Sequence, residues 1–147
     1  MTANPADVME IQHLAQCYAD GVMQRDAEIW GSTWALDGEW HLAPGMDPVK
    51  GREELKTFWS GVMQGYPWVL HWVQPGMIDV NGDTATARFY VQENIKDAEG
   101  ESFRVAGVYN DELVRENGEW KFSVRRFSVI YRGPVDMTGD WMGYPSA

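Results

Sequence analysis

The sequence predicts an α+β fold, with three helices laid over one face of a curved antiparallel sheet. Two periodicities and a set of turns predict it. Up to about residue 65 the apolar residues recur at steps of three and four, the spacing of a helix; from Pro67 onward the period is two, the spacing of a strand. Three turn signals, Asn81-Gly82, "DAEGE" at 97–101 and Asn117-Gly118, divide this second part into hairpins.

The first helix is expected over "PADVMEIQHLAQCYADGVMQRD". Pro5 suits a first turn, and Ile11, Leu14, Ala15, Tyr18 and Val22 form one inward stripe. A shorter helix follows, with Asp26 as N-cap and with Trp30 and Trp34 stacked one turn apart. "GEWHLAPG" reads as a strand that stops at Pro44 and Gly45. The segment "GREELKTFWSGVMQGY" returns to helical spacing, with Leu55, Phe58, Trp59, Val62 and Met63 on one face, and ends near Gly65. Four strands are expected after it, at about 68–80, 84–95, 102–115 and 119–132, linked as a meander. No repeat, low-complexity tract or linker interrupts the chain. Residues 1–133 are therefore expected as a single domain and 134–147 as a tail, whose Trp141 and Met142 dock on this subunit or a neighbour.

A chain of 147 residues buries roughly two thirds of its unfolded surface, and eight Trp, six Tyr and five Phe make an aromatic-lined cavity easy to build. Lys and Arg number 12 against 22 Asp and Glu, a net charge of −10, and no basic cluster exceeds Arg125-Arg126. That balance argues against nucleic acid and anionic membrane surfaces as partners. The lone Cys17 rules out an intrachain disulfide and fits a reducing compartment. The start "MTANPADVMEIQ" has neither a basic segment nor an apolar run, and no later stretch approaches the ~20 apolar residues of a membrane span, so a cytoplasmic protein is expected.

Familiar cofactor signatures are missing: there is no Gly-rich phosphate loop, CxxC pair, HExxH or Gly-x-Ser-x-Gly elbow. Chemistry therefore has to come from acids, bases and shape, with no cofactor. In "YPWVLHWVQPG" an imidazole, His71, sits between Leu70 and Trp72, where burial without a hydrogen-bond partner costs free energy. It is either a satisfied core residue or a residue facing a cavity. Ala87, Phe89, Val91 and Glu93 share a strand face, an apolar row that leads to a carboxylate. Val105, Gly107, Tyr109 and Asp111 form a comparable row, in which Gly107 leaves room for a ligand and Tyr109 adds a hydroxyl. Tyr18 lies on the buried stripe of the first helix, where its phenol needs an internal partner. Arg125 and Arg126 point to opposite faces, and the one that turns inward needs a carboxylate. His13 falls off the buried stripe, His41 is expected to face away from Trp40 and Leu42, and three histidines on separate elements lack the spacing of a metal site.

The segments "YADGVMQRDAEIWGSTWALDGEWHL", the His71 strand and "AGVYNDELVRENGEWKF", in this order and spacing over about residues 8 to 133, resemble the SnoaL-like branch of the nuclear-transport-factor-2-like superfamily. The resemblance implies a cone of curved sheet around an apolar pocket closed by helices. Among members it is strongest to hexachlorocyclohexane dehydrochlorinase, then to scytalone dehydratase and bile-acid dehydratase, enzymes that eliminate a small leaving group from a hydrophobic ring compound without a cofactor. It implies His71 as general base, Tyr18 as a group that polarises a substrate oxygen, Glu93 as a pocket acid and Tyr109 as a pocket-lining residue. The aspartate that orients the histidine in those enzymes is replaced here by Met23. Asp20 and Asp26, three residues away on either side, lie about 60° from it on a helical wheel. Either Glu93 or Asp111 takes over as orienting acid, or the reaction differs.

The expected function is a cofactor-independent lyase acting on a small hydrophobic aromatic or alicyclic substrate. Its catalytic residues are His71, Tyr18 and Glu93, and its pocket is lined by Met23, Trp40, Leu42, Phe89, Val91, Gly107, Tyr109 and Arg125. An isomerase or epoxide hydrolase on the same pocket is one alternative, and a non-catalytic binding or assembly module is another. A homo-oligomer, a trimer before a dimer, is expected to cover the outer side of the sheet.

Overall fold

In the computed structural model, which describes residues 4–140 and residue 142, helix α1 (Pro5–Gln24) opens on Asn4, whose side chain accepts the Ala6 N–H. The expected stripe of Ile11, Leu14, Ala15, Tyr18 and Val22 is buried. The helix stops at Arg25, in the left-handed region at φ 57°, and its guanidinium donates to the carbonyls of Met63 and Tyr66. This sets a cation against the end of α3 (Arg52–Gln64), where the helix dipole favours one. Helix α2 (Ala27–Ser32) is capped by the Asp26 carboxylate, which accepts the N–H groups of Glu28 and Ile29. It crosses α1 at Gly21, where a Cβ would lie 2.7 Å from the Trp30 nitrogen, so only glycine permits the approach.

Seven strands make one sheet: β1 (Trp34–His41), β2 (Val49–Lys50), β3 (Trp68–Val73), β4 (Met77–Asn81), β5 (Thr84–Lys96), β6 (Ser102–Glu116) and β7 (Glu119–Pro134). Their order is β2-β1-β7-β6-β5-β3, with β4 also on β5. The sheet is mixed, not antiparallel throughout: β1 runs parallel to β7, because α3 and the long meander carry the chain around between them. Trp34 opens β1 and does not extend α2. The Thr33 carbonyl accepts the Phe122 N–H at 2.9 Å, so pairing to β7 starts where helical bonding stops. Trp30 and Trp34 nonetheless pack together, with ring centroids 5.6 Å apart, but tilted by 58° and not stacked; the ring stacked on Trp30 is Trp59, at 5.0 Å and 13°.

The strand expected at 68–80 is two strands. Pro75 has no N–H for the ladder, and Gln12 of α1 holds Gly76 by both its N–H and its C=O, each at 2.9 Å. The short β2 has no sequence signal of its own. Two irregularities bend β7. Leu113 pairs with Phe122 and Glu112 with Val124, which leaves Ser123 unpaired; Gly107 pairs with Val129 and Ala106 with Tyr131, which leaves Ile130 unpaired. The first of these flips the strand's phase, so that Trp120 and Phe122 face inward, then Arg125.

The core lies between the helices and the inner face of the sheet, where Phe89, Val91, Val105, Tyr109, Leu113, Trp120 and Phe122 are buried. Arg115, on β6, ion-pairs with Asp7 and ties the start of α1 to the far end of the sheet. Trp72, Tyr90, Ile130 and Tyr131 are exposed. Trp141 lies outside the described residues, and Met142 is exposed. Among the described residues no helix is long and apolar enough to cross a membrane.

Candidate functional site

His71 and Glu93 are cross-strand partners of β3 and β5, which puts both side chains on the inner face. His71 is 5% exposed, whereas the Glu93 carboxylate is about a quarter open. The imidazole Nδ1 lies 3.3 Å from Glu93 Oε2, yet the ring nitrogen is not aligned on that oxygen as a hydrogen bond. The contact is that of an ion pair available to a protonated ring. From the helix side, Met23 reaches the same residue: its Sδ accepts the His71 backbone N–H at 3.2 Å. The position of the expected aspartate therefore does adjoin His71, but it offers a neutral sulfur.

Tyr18 stands over the imidazole, ring centroids 5.7 Å apart, and its phenol oxygen is 3.3 Å from that of Tyr109. The Trp40 indole N–H donates to the Tyr109 oxygen at 3.2 Å. Burial pushes both phenols up, Tyr109 well above its ordinary value. For Tyr18 the Arg125 charge and the hydrogen bond with Tyr109 work against that rise.

Arg125 is the inward arginine, 1% exposed, and it grips both oxygens of Asp111 at 2.9 and 3.0 Å. Its guanidinium also lies over the rings of Tyr109, Phe122 and Tyr18, at 3.8, 4.0 and 4.4 Å from their centroids. Burial pushes the Asp111 carboxyl up, and the adjacent guanidinium opposes it. Asp111 is thus committed to Arg125. Of the two acids considered for His71, Glu93 is the one beside it.

The remaining expected lining residues are distributed around this cluster. Phe89 and Val91 are buried on β5, Trp40 is buried on β1, and Leu42 is partly buried just beyond β1. Gly107 differs from expectation. The space over it is filled: a Cβ there would lie 2.3 Å from the Phe127 ring, which in turn packs on Tyr109 at 4.9 Å. Phe127 is the residue that sequence reasoning missed here, since the irregularity at Ser123 hides which face it takes. Trp30 and Trp34, expected only as a stacked pair, also pack on Tyr18, at 5.5 and 6.3 Å. His13 is exposed with its Nε2 3.4 Å from Cys17 Sγ, and His41 lies 4.0 Å from Glu39. Among the described residues no group of three or more His, Cys, Asp or Glu side chains is placed to hold a metal ion.

An imidazole beside a carboxylate and a phenol, on an otherwise aromatic wall, is equipped to take up and hold a proton. Residues 5–126 match the SnoaL-like domain. The chain belongs to the SnoaL-like family. Solved structures of similar shape include a hexachlorocyclohexane dehydrochlorinase, LinA type 2, at 27% identity, TM-score 0.80 and 90% coverage of both chains. Another is the LinA-type3 dehydrochlorinase of Novosphingobium barchaimii, at 25% identity and TM-score 0.79, covering 97% of this chain and 96% of that one. A scytalone dehydratase candidate from Novosphingobium aromaticivorans shares the fold, at 21% identity and TM-score 0.80 over 90% and 89% of the two chains. A comparison with curated proteins yields no match. The SnoaL-like architecture thus carries the His71 cluster on the concave side of its sheet.

Proposed function

We propose that this SnoaL-like protein is a cofactor-independent lyase that eliminates water, halide or a one-carbon aldehyde from a small hydrophobic aromatic or alicyclic compound. The observation that carries the reading is the buried His71 imidazole, 3.3 Å from Glu93 and in ring contact with Tyr18. For loss of water or halide, His71 takes a proton from carbon and the released electron pair forms the new double bond as the leaving group departs with its own pair. For release of a one-carbon aldehyde, His71 takes a hydroxyl proton, the O–H pair forms the aldehyde C=O, and the broken C–C bond's pair stays on the ring carbon, which then takes up a proton. Glu93 then faces the imidazolium as its counter-charge, the role that Met23 cannot fill. Tyr18 donates to a substrate oxygen or leaving group, and Tyr109 supports it from behind. The similarity to two dehydrochlorinases supports an elimination on this fold.

The test is His71→Ala, assayed against halogenated and hydroxylated ring compounds. A loss of about 10²–10⁴-fold in turnover is expected with the fold intact by circular dichroism. Unchanged turnover removes the assignment. A second reading, a binding module without chemistry, is favoured by one observation, the neutral Met23 sulfur where a counter-charge is expected. It predicts saturable binding of such compounds by the wild-type protein with no product formed.

Assembly as a homo-oligomer, a trimer before a dimer, belongs to the same proposal. Its support is the outer face, where exposed Trp72, Tyr90 and Ile130 surround a hollow of about 340 Å³. Sedimentation velocity of the wild type and of Trp72→Glu is expected to show an oligomer and a monomer respectively.

A further inference from the structure

We infer that Trp40 and Tyr109 are positioning residues: together they fix the direction of the hydrogen bond between the two buried phenols, so that Tyr109 donates to Tyr18 and the Tyr18 O–H is left free for a ligand. The argument starts from the indole, which has a donor and no acceptor. At 3.2 Å from Trp40 Nε1, the Tyr109 oxygen must therefore be the acceptor of that pair. A phenol oxygen that already accepts is a stronger donor and a poorer second acceptor, because successive hydrogen bonds polarise one another. The Tyr18 oxygen, 3.3 Å away, is the acceptor within reach of the Tyr109 hydrogen. The chain then runs Trp40 to Tyr109 to Tyr18.

The reverse arrangement places two donors on the Tyr109 oxygen, the weaker second acceptor. The Tyr109 ring is closed over by Arg125 at 3.8 Å and Phe127 at 4.9 Å. The Tyr18 ring, also under Arg125 at 4.4 Å, borders the imidazole of His71 at 5.7 Å. A hydrogen freed at Tyr18 therefore belongs to the phenol whose ring borders the proposed base.

The direction of the bond is independent of turnover. Only its use, meeting a substrate oxygen, rests on the lyase reading above. Neutron diffraction from deuterated crystals reads the direction itself. The Tyr109 hydroxyl deuterium is expected on the line to the Tyr18 oxygen, with the Tyr18 deuterium pointing away from Tyr109; a Tyr18 deuterium on that line overturns the inference. In Trp40→Phe, which keeps a ring and removes the donor, the pair is expected to reverse, with the Tyr18 deuterium moving onto the Tyr109 oxygen. A Tyr109 deuterium that still points at Tyr18 in that variant removes Trp40 as the cause. If Trp40→Phe does not fold, the wild-type density alone decides the direction. Inactivity toward every ring compound leaves these readings unaffected, so failure of the function and failure of the inference are separable.

Discussion

Two acid–base pairs share the inner face of the sheet and are built to opposite specifications. Asp111 and Arg125 are sealed from water, joined by two aligned hydrogen bonds, and roofed by three aromatic rings. His71 and Glu93 touch at 3.3 Å without alignment, and the carboxylate keeps an opening to solvent. The contrast separates two uses of charge. A pair locked on both oxygens and sealed from water keeps its two charges committed to each other, so it holds rings and strands in place. A loosely held pair beside a phenol can change its protonation state without dismantling the core. Arg125 therefore matters to the site by fixing the rings of Tyr18 and Tyr109, and Glu93 matters by its charge.

The largest effect that would test this contrast is on the locked pair. Asp111→Asn leaves a buried guanidinium without its counter-charge, and a loss of about 3–5 kcal/mol is expected in denaturant unfolding. A loss below ~1 kcal/mol would show that the pair is not locked.

A half-buried pair provides the intermediate case. Glu116 accepts the Leu36 N–H and pairs with Arg52, which itself holds the Trp34 carbonyl at 2.6 and 2.8 Å. Glu116→Gln is expected to cost about 1–2 kcal/mol at neutral pH. Burial works to raise the Glu116 carboxyl, but the Leu36 N–H and Arg52 outweigh it and hold it below its ordinary 4.5. Because the folded value is the lower one, this stability is present above pH 4.5 and is lost as pH falls through the folded value. The wild-type advantage over Glu116→Gln should therefore shrink in unfolding curves taken below pH 4.5.

Glu93→Gln sharpens the comparison from the other side. A stability change below ~1 kcal/mol is expected together with a clear fall in turnover, because the carboxylate is partly open and carries function, not packing. A variant as unstable as Asp111→Asn would mean that the two pairs are alike. The smallest effect belongs to the outer-face pair of Arg126 and Glu112, half exposed on both sides, where Glu112→Gln is expected to change stability by no more than roughly a few tenths of a kcal/mol.

How much of this was legible in the sequence depends on where the strands keep their period. On β5 and β6 the alternation is unbroken through the site, so the rows ending in Glu93 and Asp111 can be read directly, and Tyr18 follows from the helical stripe. On β7 it is not. Counting by two from Phe122 selects Arg126 as the inward arginine, and only the unpaired Ser123 reverses the choice in favour of Arg125. The same shift concealed Phe127, and with it the closure of the space over Gly107. The partnership of His71 with Glu93 depends on the register between β3 and β5, which a long-range pairing sets and no local pattern announces. The parallel placement of β1 beside β7 is likewise a product of chain crossing, invisible to any window of sequence.

The single unpaired serine has a wider consequence for how relatives of this protein diverge. Its presence makes the interior chemistry depend on a spacing and not only on residue identity: pairing Ser123 into the ladder would turn Arg126 inward and Arg125 outward without altering either arginine, whereas excising it keeps Arg125 opposite Asp111. Chains that keep the same side chains but move the skipped position therefore present different linings to whatever they enclose. Column-by-column comparison of such chains will misassign their interiors unless the skip is located first.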